Sequence, residues 1–119
     1  MVKATKDPHH ITLEPTTDRV TVRIDGVTVA STTRATILRE GSIVPRYYMP
    51  IEDVDATMLR PSDRTSHCPF KGDATYRSLE VNGVLHEHIV WTYEEPFDEM
   101  ADIAHLVCFY NERTDITVE

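Results

Sequence analysis

A chain of 119 residues with 40% hydrophobic and 27% charged residues has the size and balance of one globular domain that buries a core without staples. Its formal net charge of −8 argues against nucleic-acid partners, whose sequence-independent binding needs clustered Lys and Arg to displace counterions, and against anionic membrane surfaces. No apolar run approaches the roughly 18–20 residues that span a bilayer, and Met1 to His10 contains no signal-type apolar stretch, so a cytoplasmic chain is expected.

Residues 1–17, with two prolines and the paired His9 and His10, read as an N-terminal arm, and residues 18–119 as a single β-rich domain. Residues 20–24 alternate apolar and polar, Asp25-Gly26 follows, and residues 27–30 alternate again. Asp-Gly between two such runs predicts a type I′ hairpin, because both central positions need φ > 0. A third strand is expected through residues 35–39. Residues 45–50 are extended, and the flanking Pro45 and Pro50 argue against a central place in a ladder. Residues 51–59 open with acids and suggest a short helix.

The next segment, residues 60–76, is polar, lacks core periodicity and reads as an irregular connection held by a rigid frame. Strands are expected over 75–81 and 84–93 around a second I′ dipeptide, Asn82-Gly83. Pairing Val81 with Val84 sets Tyr76 opposite Ile89, Ala74 opposite Trp91 and Gly72 opposite Tyr93. A second short helix over 97–104 and strands over 105–110 and 114–118 complete the chain. The expected fold is mainly β, an antiparallel sandwich or small barrel-like fold with two short helices. There is no βαβ alternation, no G-x-G-x-x-G run and no P-loop.

Chemistry concentrates in the polar segment, where His67, Cys68, Lys71, Arg60 and Arg64 stand close in sequence. Cys68 is either a thiol activated by neighbouring cations or a small packing residue. Lys71, expected to be exposed, is either a point charge for a carboxylate or phosphate or a solvated turn residue, with Gly72 closing the turn. Cys68 and Lys71 are the candidate catalytic groups. Tyr76, Trp91 and Tyr93 project from one face of the second hairpin, and with Tyr48 and Thr65 they are the candidate ligand-binding residues. The rings either line a pocket or fill a core. Cys68, Lys71 and the three hairpin rings are expected to border one concavity. His86 and His88 share the opposite hairpin face as two ligands at most, so no metal site is assigned. Cys108, in the apolar run 106–110, reads as core, and two cysteines make no disulfide framework.

Several runs together resemble a known family: Tyr48-Met49-Pro50 with Glu52-Asp53-Val54, Leu59 to Ser62 with Thr65, Cys68-Pro69-Phe70-Lys71-Gly72 with Ala74 and Tyr76, and Trp91-Thr92-Tyr93-Glu94-Glu95-Pro96. The chain resembles the family called domain of unknown function 427, which also has a nucleotidyltransferase-like name, over roughly residues 18–118. The resemblance implies a small, bacterial-type, β-rich cytoplasmic domain. It transfers no substrate, cofactor or catalytic residue, and the chain lacks the paired carboxylates that metal-dependent nucleotidyl transfer needs. The cofactor is therefore unknown. A small-molecule ligand, anionic or aromatic, is the expected partner of a monomer or weak homo-oligomer. The alternatives are an enzyme, transferase-like or hydrolytic, that uses Cys68 or Lys71, and a protein–protein interaction subunit.

Overall fold

The computed structural model describes residues 11–119 and the backbone of residues 3 and 4. The described residues form strands β1 (Lys3–Ala4), β2 (Ile11–Pro15), β3 (Val20–Ile24), β4 (Val27–Thr32), β5 (Thr36–Glu40), β6 (Arg46–Met49), β7 (Leu59–Cys68), β8 (Gly72–Val81), β9 (Val84–Thr92), β10 (Val107–Phe109) and β11 (Asp115–Val118). Eight of them make a sheet in the order β1-β2-β5-β6-β10-β9-β8-β7, and the other three a sheet in the order β11-β3-β4. Every pair is antiparallel. The two I′ turns form as the sequence predicts, with φ of 51° and 79° at Asp25 and Gly26 and of 51° and 80° at Asn82 and Gly83.

Because side chains alternate along a strand, each central strand of the large sheet feeds two cores. Met49, Val107 and Phe109 point toward the small sheet and pack with Val20, Val22, Ile24 and Val29, giving a sandwich. Tyr48 and Cys108 point the other way and pack with Ile11, Leu13, Leu38, Trp91, Met100 and Ile103. The 3-10 turn Asp98–Ile103 supplies Met100 and Ile103, both buried, and closes one end of this second core. No pairing closes the large sheet into a barrel among the described residues.

Several expectations change. The helices expected over 51–59 and 97–104 are 3-10 turns, Ile51–Asp53 and Asp98–Ile103, and a third, Asn111–Arg113, was not foreseen. The polar segment is not an irregular loop: residues 59–68 form β7, and only Pro69, Phe70 and Lys71 turn between β7 and β8. It lacks periodicity because β7 lies at the edge of the sheet and none of its residues is fully buried. Strand β6 is central, paired with both β5 and β10; its prolines stand just outside the ladder rather than in it. The arm drawn to residue 17 is too long, since Ile11 and Leu13 are buried in β2 and pair with β5. Of the rest of that arm, residues 1, 2 and 5–10 lie outside the described residues.

The hairpin register holds from Val81↔Val84 to Leu79↔His86 and then slips, giving Arg77↔Val90 and Tyr76↔Trp91. Tyr76 therefore faces Trp91 and not Ile89. The slip adds two residues to β9, an even number, so Tyr76, Trp91 and Tyr93 keep their shared face, whereas Ile89 turns with Val90 into the core toward the small sheet. The bulge separates His86, opposite Leu79, from His88, which adopts φ of 55°. They do not act as a pair, and no group of three His, Cys, Asp or Glu side chains suited to a metal occurs among the described residues.

Candidate functional site

One rung across four strands builds the floor of the site. Tyr48 pairs with Cys108, Cys108 with Trp91, and Trp91 with Tyr76, so alternation places all four side chains on the second-core face. Trp91 is 8% exposed. It donates from Nε1 to the Tyr48 hydroxyl at 3.0 Å and meets the Tyr48 ring edge-on, with centroids 6.4 Å apart. Two residues along the strands, the same alternation adds Arg46 and Tyr110 on one side of the rung and Tyr93 on the other. The Arg46 guanidinium lies 5.3 Å from the Trp91 ring centroid, and Tyr110 lies 4.7 Å from it at a tilt of 58°.

Over this floor two corners of the sheet meet. Glu40 ends β5 and Lys71 precedes β8, at diagonally opposite ends of a five-strand span. Right-handed twist of about 20–25° per strand turns β5 and β8 almost perpendicular and lifts diagonal corners over the same face. Lys71 Nζ reaches Glu40 Oε1 at 3.0 Å, with side chains only 12% and 13% exposed. Lys71 is thus not the exposed residue the sequence suggests. Its placement depends on the turn behind it: Lys71 N–H donates to the Cys68 carbonyl at 3.2 Å, and the Lys71 carbonyl accepts from Phe97 N–H at 3.0 Å. Gly72 adopts φ of 120° with its Cβ position 3.3 Å from the Pro96 backbone, so a larger residue would strain this junction.

Between floor and corners lies a cavity of about 220 Å³. It gathers Lys71, Tyr76, Trp91, Tyr93 and Tyr48 from the sequence-derived residues. Cys68 does not line it but stands behind Lys71, its Sγ 3.6 Å from Nζ. Thr65 is exposed and paired with Thr75 on the edge strand. His67 bonds Asp73 at 2.6 Å, and both side chains are exposed. The rings serve as core and lining at once, since Trp91 and Tyr93 are buried while their cluster walls the cavity.

Glu40, Arg46, Tyr110 and the exposed Ile43 and Val44 also line the cavity and were not singled out from sequence. Arg46 and Tyr110 had a signal: each lies two residues from a residue of the rung, hence on the same face. Glu40 and the Ile43-Val44 loop had none, because the twist that brings them over Trp91 is a property of the whole sheet.

The phenols at the site titrate differently. Burial, reinforced by Cys108 and Tyr93, pushes the Tyr48 hydroxyl well above its usual range despite the Trp91 bond. Burial likewise raises Tyr93 and the Cys108 thiol. Tyr76 goes the opposite way: burial alone would raise it, but hydrogen bonds from Ser66 (2.8 Å), Tyr110 and Arg64 outweigh that and lower it. Tyr110 is raised by burial and by Tyr76. The result is a wall of hydroxyls beside two cations.

No curated protein matches the chain. The nucleotidyltransferase-like label of the matching family has no counterpart among the described residues in a metal-binding cluster. The family pattern described as Domain of unknown function (DUF427) matches residues 12–119, nearly the whole chain, and the chain belongs to that family.

Proposed function

We propose that this domain binds a small molecule with a flat apolar body and an anionic group in the cavity over Trp91. The observation that supports this reading most is the convergence of Arg46 and Lys71 on one aromatic floor. At about 220 Å³ the space exceeds the roughly 150 Å³ that admits a benzene ring and falls short of the roughly 300 Å³ typical of drug-sized ligands. One ring with a small substituent fits; a nucleoside triphosphate would lie mostly outside.

The two cations differ in availability. Lys71 is matched by the half-buried Glu40 at 3.0 Å, so it orients more than it attracts. Arg46 bonds Asn111 at 2.8 Å and Glu112 at 3.1 Å, both through Nη1, and the Glu112 side chain is 63% exposed. An ion pair with such a solvated partner is worth only about 0–1 kcal/mol, so an incoming carboxylate can displace Glu112 cheaply. Arginine also presents a planar fork suited to carboxylate or phosphate.

The single tryptophan is a built-in reporter. Titration with benzoate is expected to change Trp91 fluorescence saturably, with benzamide and acetate each much weaker. Arg46→Ala should weaken benzoate about tenfold, the equivalent of about 1.4 kcal/mol. Fluorescence that is indifferent to benzoate, phenylphosphate and indole carboxylates up to millimolar concentration removes the proposal.

A second reading, an enzyme that uses Cys68, is favoured by the 3.6 Å approach of Lys71 to its sulfur. It predicts that iodoacetamide alkylates Cys68 faster at pH 7 than it alkylates glutathione.

A further inference from the structure

We infer that Ser62 and His88 form a second reactive site, a hydroxyl nucleophile with an oriented base, for activated acyl or phosphonyl esters. The site is separate from the aromatic cavity and does not depend on the function proposed for it. Ser62 Oγ lies 2.6 Å from His88 Nδ1. Oγ also accepts the Arg64 N–H at 3.2 Å; in the tautomer with the imidazole proton on Nε2, Nδ1 accepts the Ser62 proton, and that is the tautomer the reaction uses.

Two slips in the strand pairing converge there, and the second contains a residue at positive φ. The β7–β8 pairing slips between Pro61 and Thr65, and the β8–β9 pairing slips between Arg77 and Leu79. The β8–β9 slip lies at Ser78, which is 3% exposed and accepts the His88 N–H at 3.0 Å; the β7–β8 slip begins one residue further along β8, past Arg77. His88 holds φ of 55°, a conformation that costs a non-glycine residue free energy and persists only where the surroundings impose it. Bulges re-aim side chains, and they are enriched next to reactive sites. Here one bulge delivers the hydroxyl, the other delivers the imidazole, and a buried serine fixes the second to the strand between them. The pair opens onto a depression of about 410 Å³ that Leu85 and Glu87 also line, so an ester can approach Oγ. This is the oriented base that neither His67 nor any neighbour of Cys68 provides.

The step balances within the pair and the ester. Ser62 Oγ bonds the carbonyl carbon while its proton passes to His88 Nδ1. The ester C–O bond then breaks, and the departing oxygen takes that proton. Water attacks the acyl-serine with the same base, releasing a carboxylic acid and restoring the hydroxyl. With a phosphonyl fluoride, the Oγ–P bond forms, the P–F bond breaks, and the product is stable.

The test is labelling of the full chain with a fluorophosphonate, read by peptide mass spectrometry. Ser62 is expected to label first, at least 100-fold faster than the exposed Ser42 of the same molecule. His88→Asn, which tolerates positive φ but cannot take the proton, should erase that difference, with circular dichroism to verify the fold. The proposal is overturned if Ser62 labels no faster than Ser42 in the native chain, a comparison that needs no variant, or if a folded His88→Asn protein labels at the native rate. In either case the contact only staples two bulges.

Discussion

The bond from Trp91 Nε1 to the Tyr48 hydroxyl, 3.0 Å long and buried, ties two large rings of the second core. Tyr48→Phe keeps the ring and removes the acceptor, leaving a buried indole N–H without this partner. A buried donor so stranded costs about 1–3 kcal/mol. The urea midpoint should fall by that equivalent with an unchanged slope, and a midpoint equal to wild type would show that solvent reaches the indole. Burial keeps the Tyr48 phenol protonated well past its usual range, so the acceptor is the neutral hydroxyl throughout the pH range in which the protein is handled. Removing Lys71 is a different experiment. Because its partner Glu40 is only 13% exposed, Lys71→Ala leaves a half-buried carboxylate without this ammonium, and the loss should exceed the ~0.5 kcal/mol of an ordinary surface substitution.

Among the elements, the 3-10 turn Ile51–Asp53 shows how a short irregular piece is fixed to a sheet. Asp53 accepts from Thr32 Oγ1 at 2.6 Å and from Arg34 Nη2 at 3.1 Å. Burial acts to raise its pKa, but the Thr32 and Arg34 contacts prevail and lower it. A carboxylate with a lowered folded pKa stabilises fully above its unfolded value, near 3.9, and the contribution disappears as pH falls through the folded value. Asp53→Asn should thus cost about 1 kcal/mol from pH 7 down to about 5, discounted for partial exposure, and the gap to wild type should close below pH 4. Thermal melts across that range check it; a gap that persists at pH 2 would point to shape rather than charge.

The elements also show what the sequence discloses. Asp25-Gly26 and Asn82-Gly83 were legible because φ > 0 at two consecutive positions leaves few residue choices. Residues 20–24 were legible because one face is buried. Strand β7 was not, since an edge strand buries no full face and shows no alternation. The slip at His88 was not, because a bulge depends on the neighbouring strand and leaves no periodic trace. Residues 98–103 carried apolar spacing suited to a helix, but Pro96 and the short span leave room only for 3-10 geometry. For the site, the three hairpin rings could be assigned to one face by parity alone, whereas Glu40 required the twist of the whole sheet.

For the molecule as a whole, the long edge offered by β7 is the main liability, because unpaired N–H and C=O groups template association. The strand blunts it with Pro61, which has no N–H, with a bulge between Pro61 and Thr65, and with the charges of Arg60, Asp63 and Arg64. Replacing Pro61 and Arg64 together by valine should move the sedimentation profile to larger species at micromolar concentration. A profile unchanged from wild type would mean that the bulge alone protects the edge.

The small sheet has a kinetic consequence of its own. Its middle strand β3 pairs on one side with its sequence neighbour β4 and on the other with β11, matching Val20 to Val118. Arg19 and Glu119 exchange both backbone bonds, at 3.0 and 2.9 Å, just beyond that ladder. The local hairpin can form in microseconds, but a two-stranded ribbon is marginal by itself. The third strand arrives only by closing a loop of nearly the entire chain, an entropy cost about 2 kcal/mol above that of a ten-residue loop. Folding of this domain therefore belongs to the high-contact-order regime of milliseconds to seconds, with half of the sandwich waiting on the encounter of residues from opposite ends of the sequence.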